Sequence, residues 1–233
     1  MPGITITVDS LIEGAQKAQG VAVVIDVFRC FTTEAIAFER GAEKIILVAE
    51  IEEARELKDR GMGHILMGEV GGRRPDGFDY GNSPKDLLGV DLDGKTIIQS
   101  TRAGTVGVTN VSQAGVIYGG SLAVASATVK AVLSHRPTRV SLVAMGQEGR
   151  ERSDEDEQCA LYMRNLIQGR LPDKDSVRSL ILVGNESQKY DDPDLPQWPT
   201  VDRSMALDID SHDFALRIKR EDGFYVSRPE YLE

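Results

Sequence analysis

Apolar positions fall in short runs of strand length, separated by stretches in which they recur at three- and four-residue spacing. The runs are Ile4–Val8, Val21–Val27, Lys44–Val48, His64–Met67, Lys95–Gln99, Gly115–Tyr118 and Arg139–Ala144. Several are rich in β-branched residues, the pattern of strands buried on both faces of a parallel sheet. Between them the spacing predicts helices over Ser10–Lys17, Thr33–Arg40, Ile51–Asp59, Thr105–Ser112 and Leu122–Leu133, with Ser10 or Asp9 and Ser121 as N-caps. Alternation at this interval predicts an α/β fold, a mostly parallel sheet flanked by helices in an α/β/α arrangement.

Beyond the last run the pattern changes. A helix is expected from about Asp154 to Gln168, its acidic first turn matched to the positive end of the helix dipole. A polar helical segment, Asp173–Arg178, a more apolar run, Ser179–Gly184, and a proline-containing linker, Asp191–Pro199, come next. Alternation on each side of Glu221-Asp222-Gly223 then predicts a C-terminal β-hairpin over Phe214–Arg228. Residues 1–233 are expected to form one domain, with two α/β lobes at about 1–120 and 121–233 as the other division.

Composition narrows the function. The net charge of −10 and the lack of a Lys/Arg cluster argue against nucleic acid and anionic membranes as partners. Two cysteines, Cys30 and Cys159, are too few for a disulfide scaffold. No apolar run is long enough to span a bilayer, and no signal-like segment precedes Ile4, so a cytoplasmic protein is expected. Phosphate-loop, dinucleotide-binding and serine-elbow motifs are absent, and the three histidines are not at zinc-ligand spacing.

What remains is a set of carboxylates, arginines and glycine turns just after the strand-like runs. Asp26 ends the most apolar run, where ligands of open α/β sheets bind, and Arg29 follows it. Two readings of Asp26 stay open: a buried carboxylate that caps the next helix, or one that handles a metal or an anion. Glu69 opens a long polar loop, Gly68–Pro84, in which Asn82 and Ser83 precede Pro84. Thr101, Arg102, Gly104 and Thr105 form a hydroxylic turn whose amides could hold an oxyanion, and Gly119-Gly120-Ser121 repeats that theme. Gly146-x-Glu148-Gly149-Arg150, followed by Glu155 and Asp156, combines a tight turn with hard carboxylate ligands suited to Mg²⁺.

Together these segments resemble the 2-phosphosulfolactate phosphatase family. The matching pieces are Val24-Ile25-Asp26-Val27-x-Arg29 with Thr32-Thr33, Gly68-Glu69, Gly77-Phe78-Asp79-x-Gly81-Asn82-Ser83-Pro84, Thr101 with Gly104-Thr105, Gly120-Ser121, and Gly146-x-Glu148-Gly149-Arg150 with Glu155-Asp156-x-x-Cys159-Ala160. They stand in the family's order over Val21–Ala160. One departure is Arg102-Ala103, where the family pattern has Thr-Asn, and it points towards a related substrate.

The resemblance implies Mg²⁺-dependent hydrolysis of 2-phosphosulfolactate to sulfolactate and phosphate, a step towards coenzyme M in organisms that make it. The expected partner is thus a small phosphorylated anion, with homo-oligomerisation left open. It implies Asp26, Arg29, Glu148 and Arg150 as catalytic residues. Asn82, Ser83, Thr101, Arg102, Gly104, Thr105, Ser121 and Gly149 are expected to bind substrate. Mg²⁺ is expected on Asp26, with Glu69, Glu148 and Asp156 as further candidates. A metal-oriented water is the expected nucleophile, with a phospho-aspartyl route through Asp26 as the alternative. Other readings are a phosphatase of the same family acting on a different metabolite, a phosphotransferase, or a non-catalytic small-anion binder that needs the arginines but not the carboxylates.

Overall fold

The computed structural model describes residues 3–232. In chain order the elements are β1 (Thr5–Ser10), α1 (Leu11–Lys17), β2 (Gln19–Ile25), α2 (Cys30–Glu39), β3 (Lys44–Val48), α3 (Ile51–Asp59), β4 (Ile65–Gly68), β5 (Thr96–Ser100), α4 (Gly104–Asn110), β6 (Gln113–Gly120), α5 (Ala125–Ser134) and β7 (Arg139–Ala144). Then come α6 (Asp154–Ile167), α7 (Lys174–Leu182), α8 (Asn185–Gln188), α9 (Thr200–Ala206), β8 (Phe214–Glu221) and β9 (Phe224–Tyr231). Among the described residues nine strands form one sheet, in the order β1-β7-β2-β6-β8-β9-β3-β5-β4. The expected mostly parallel α/β fold is therefore what the chain adopts. No helix among the described residues is long and apolar enough to cross a membrane.

β2 shows why the apolar runs become strands. Val21 through Ile25 are all buried, with Ala22 and Val24 in one core and Val21, Val23 and Ile25 in another. Successive side chains of a strand point to opposite faces, so a continuous apolar run feeds two cores at once. Each fully buried Val or Ile side chain contributes about 1.5–3 kcal/mol.

The hairpin is the spine of the sheet rather than an appendage. β8 pairs antiparallel with β6, and β9 pairs antiparallel with β3, so β8 and β9 join two parallel blocks, β1-β7-β2-β6 and β3-β5-β4. Asp222 and Gly223 turn the hairpin with φ of 51° and 92°, the paired positive values of a tight two-residue turn.

Three successive antiparallel pairings also make the two blocks run in opposite directions along the sheet. Strand ends share an edge only within each block, and β2 and β5 lie five strands apart, roughly 24 Å in a flat sheet at the usual strand spacing. Yet the loop after β2 and the loop after β5 are hydrogen-bonded to each other. The sheet must therefore curl. It does so around α2, which is buried from Cys30 to Phe38, and one core contains residues of both blocks, such as Val24 and Ile97, together with Phe31 and Ile36 of α2. A helix buried on every side needs no amphipathic pattern.

Three local expectations differ. Ser10 and Ser121 precede helical segments without making side-chain capping bonds; the Ser10 hydroxyl instead donates to Glu157 at 2.6 Å. The segments Asp173–Arg178 and Ser179–Gly184 merge into α7, which Asp173 caps by accepting from the Ser176 amide. After the proline-rich linker the chain forms α9, a helix that the periodicity does not predict.

Candidate active site

Asp26 follows β2 directly and is 4 % exposed. Its Oδ1 accepts the amide of Cys30, the first residue of α2, at 3.1 Å. Its Oδ2 accepts the amide of Gly104, the first residue of α4, at 2.8 Å. One carboxylate thus ties together the starts of two helices from the two blocks of the sheet. A side chain at position 104 would meet Cys30 at 2.6 Å, so only glycine lets the helix approach this closely.

Asp156 on α6 performs a matching task. Its Oδ1 accepts the Val27 amide at 2.7 Å and its Oδ2 the Gly146 amide at 2.8 Å, which joins the loops after β2 and β7. Glu69 accepts from the amides of Arg102 at 2.8 Å and Gly72 at 2.7 Å. The amides of Thr101 and Thr105 are bound by each other's hydroxyls, at 2.9 and 3.2 Å. Four amides of the turn expected to hold an oxyanion, those of Thr101, Arg102, Gly104 and Thr105, therefore already have acceptors within the chain.

These loops line a cavity of about 260 Å³. The described residues around it include the carboxylates Asp26, Glu69, Glu148, Glu155, Asp156 and Glu186, and the cations Arg29, Arg102 and Lys189. Burial raises the Asp26 carboxyl to about 6, with the nearby Glu69 charge adding to the effect. Burial also raises Glu155 to about 8, helped by Glu186 and Asp26, and pushes Asp156 well above the usual carboxylate range.

Arg29 is also buried, but its guanidinium is already committed. It donates to Asp202 at 2.6 Å, to the Gln197 carbonyl at 3.0 Å and to the Gly72 carbonyl at 3.3 Å, and lies 4.4 Å from the centre of the Trp198 ring. Asp202 also accepts from the Ser83 hydroxyl at 2.9 Å and the Lys85 amide at 3.0 Å. Residues 184–206 thereby form a cap over the strand ends, adding Glu186, Lys189, Leu195 and Trp198 to the lining. Gly72 leaves room for this cap, since a side chain there would meet the Trp198 ring at 2.4 Å.

The cavity thus brings together Asp26, Arg29, Glu69, Asn82, Arg102, Glu148 and Asp156 from the residues expected by sequence. Glu148 is exposed and, at φ 51°, takes the left-handed conformation of its turn. Thr101, Gly104, Thr105, Ser83, Ser121 and Gly149 are buried and do not line the cavity, and Arg150 is exposed outside it. Cys159 is buried in an apolar core. Glu155, Glu186, Lys189 and Trp198 are additions. Of these only Glu155 stands in a recognisable motif; Trp198 lies in the expected linker, and Glu186 and Lys189 lie just before it, where the pattern predicts no element.

Among the described residues no three His, Cys, Asp or Glu side chains converge closely enough to enclose a metal ion. Mg²⁺ needs less: one or two carboxylates, with waters and a substrate phosphate completing the octahedron. Asp26 and Glu69 fit that requirement, because they face one cavity and the charge of Glu69 acts on Asp26. An excess of carboxylates over cations would repel an anionic substrate unless a cation intervened.

The sequence profile described as 2-phosphosulpholactate phosphatase matches residues 6–193. The chain belongs to this family. One similar family member, a probable 2-phosphosulfolactate phosphatase of Bacillus subtilis strain 168, is 29 % identical over 86 % of this chain and 88 % of its own. Another, of Synechococcus sp. strain WH7803, is 37 % identical over 58 % of this chain and 56 % of its own, and carries the same description. A third so described, of Carboxydothermus hydrogenoformans, is 44 % identical over 52 % of this chain and 50 % of its own. The family match includes the carboxylate loops and Lys189, whereas Trp198 and Asp202 lie beyond it.

Proposed function

We propose that this phosphatase-family chain hydrolyses the phosphate monoester of a small anionic hydroxy acid, 2-phosphosulfolactate being the substrate that its relatives' names suggest. Mg²⁺ is the cofactor of this reading, with Asp26 and Glu69 as the residues that would hold it. When bound, the ion would offset charge on the phosphoryl oxygens. Asp156, which joins the loops after β2 and β7 through the Val27 and Gly146 amides, is a further candidate ligand of the same reading. The observation that carries the reading is the cavity in which strand-end carboxylates outnumber the lining cations.

The chain's own groups supply the rest. Glu155 Oε2 is buried and finds no partner among the described residues; in its ionised form, the minority below about pH 8 because burial raises the carboxyl, it could accept the proton from an attacking water. Arg102, 31 % exposed and only loosely paired with Glu50 at 3.7 Å, is free to turn its fork onto a carboxylate or phosphoryl group. Attack by water remains favoured over a phospho-aspartyl route, because the segment Asp26-Val27-Phe28 lacks a second aspartate two positions on. A cytoplasmic setting belongs to the same reading and is supported by two free, buried cysteines.

Phosphate release from 2-phosphosulfolactate, 2-phospholactate and phosphoserine, with Mg²⁺ and with chelator, tests the reading. Mg²⁺-dependent release, fastest with 2-phosphosulfolactate, is expected. No release from any of them, or release unaffected by chelation, would contradict it.

A further inference from the structure

The cap carries a cation whose present partner is a weak claim on it. Lys189 follows α8 and lines the cavity, and its ammonium lies 2.6 Å from Glu186 Oε2, which lines the same cavity. Both side chains are about a quarter exposed, 26 % and 22 %. An ion pair that still meets solvent, three residues apart in sequence, is worth on the order of 1 kcal/mol. The ammonium also lies 5.7 Å from the centre of the Trp198 ring, the ring against which Arg29 packs at 4.4 Å.

The three lining cations therefore differ in availability. Arg29 is fixed by Asp202 and two carbonyls in the protein interior. Arg102 comes from the loop after β5, on the same side as Asp26 and Glu69. Lys189 comes from the cap. The Arg102 fork can grip a carboxylate or phosphoryl group bidentately, whereas the Lys189 ammonium is a compact point charge with rotatable donors that can meet a further anionic group from the cap side.

Resting on the phosphatase reading above, we propose that Lys189 is the specificity-determining residue for the non-reacting sulfonate of the substrate. In the free protein Glu186 holds the Lys189 ammonium. The substrate's sulfonate displaces Glu186 from it, while the reacting phosphoryl group lies among the carboxylates of the strand ends. Glu186 then acts as an internal competitor, so a ligand lacking a strong anion at that end leaves the Lys189–Glu186 pair closed. Trp198, which lines the cavity beside Lys189 and is the sole tryptophan of the chain, registers the exchange.

The test compares Lys189→Met and Glu186→Gln with the unmodified protein in Mg²⁺, using 2-phosphosulfolactate and 2-phospholactate, which differ in the sulfonate. Lys189→Met is expected to lower the ratio of the two kcat/KM values at least ten-fold, and Lys189→Arg to restore part of it. Glu186→Gln breaks the same ion pair but is expected to lower KM for 2-phosphosulfolactate. An equal loss on both substrates in Lys189→Met, or a Glu186→Gln variant impaired like Lys189→Met, would overturn the proposal, since either is what a purely structural ion pair gives. Tryptophan fluorescence titrated with sulfolactate keeps the question separate from turnover. If no substrate is hydrolysed, the phosphatase reading fails. At least ten-fold weaker sulfolactate binding in Lys189→Met, with tighter binding in Glu186→Gln, still supports the sulfonate site, and unchanged titrations of both contradict it. Should Lys189→Met fail to fold, the sign of the Glu186→Gln effect decides alone.

Discussion

On the strand-end wall of the cavity, carboxylates are held by backbone amides; on the cap wall, cations are held by side chains. Asp26, Asp156 and Glu69 each accept two amides from loops that follow different strands. Their positions are thus set by the sheet itself, and hydrogen bonds from neutral donors do not offset the cost of burying a charge at Asp26 and Asp156, whose carboxyls burial raises. The cap instead relies on Arg29–Asp202, Lys189–Glu186 and the stacking of both cations on Trp198. The two walls divide the labour. A wall built on backbone holds geometry and a residual negative charge, as needed for a cation and a reacting phosphoryl group. A wall built on side-chain pairs can exchange partners, as needed for recognition.

Asn at position 26 is the sharpest way to break the first wall. Asp26→Asn keeps the shape but replaces one amide-accepting oxygen with a donor and removes the charge. Turnover is expected to fall by about a thousand-fold or more while the protein stays folded, measured as phosphate release beside circular dichroism. Activity near that of the unmodified chain would mean that Asp26 only joins helices.

The second wall breaks at Asp202. Asp202→Ala leaves the Arg29 guanidinium buried without its counter-charge and frees the Ser83 hydroxyl and Lys85 amide. A loss of about 3–5 kcal/mol in denaturant unfolding is expected. Adding Arg29→Met should recover part of it, because the stranded charge is then gone; no recovery would show that the pair matters for more than charge balance.

A smaller effect separates the site from the core that supports it. Glu34, on α2 beneath the cavity, is raised by burial from 4.5 to about 8. The folded protein binds this proton more tightly than the unfolded chain, so the stability it confers is fully present below about pH 4.5 and is lost as pH rises towards 8. Glu34→Gln mimics the protonated form and is expected to flatten the decline of unfolding free energy between pH 5 and 8 by roughly one proton's slope. An unchanged slope would place the titration elsewhere.

Much of the strand-end wall is legible in the sequence, because its information is local. An apolar run, a carboxylate at its end and a glycine turn are neighbours along the chain, as with Val21–Asp26 or Gly146–Asp156. The capping reading of Asp26 matches the amide it accepts from Cys30, and the same carboxylate faces the cavity. The cap is not legible, because its contacts are long-range. Arg29 and Asp202 are 173 residues apart, and a proline-rich stretch gives no periodicity from which to infer α9 or a lining role for Trp198. The place of the hairpin escapes for the same reason. Its turn is local and readable at Asp222-Gly223, whereas its insertion between two parallel blocks depends on pairings with β3 and β6 that no local pattern encodes.

The most direct test of the two-wall account is the position of a divalent cation in a crystal of the protein grown or soaked with Mn²⁺, located by anomalous scattering. A peak is expected in the cavity within coordination distance of Asp26 and on the Glu69 side, with no contact to the cap. A cavity without a peak at saturating Mn²⁺, or a peak held by Glu186 and not touching Asp26, would contradict it.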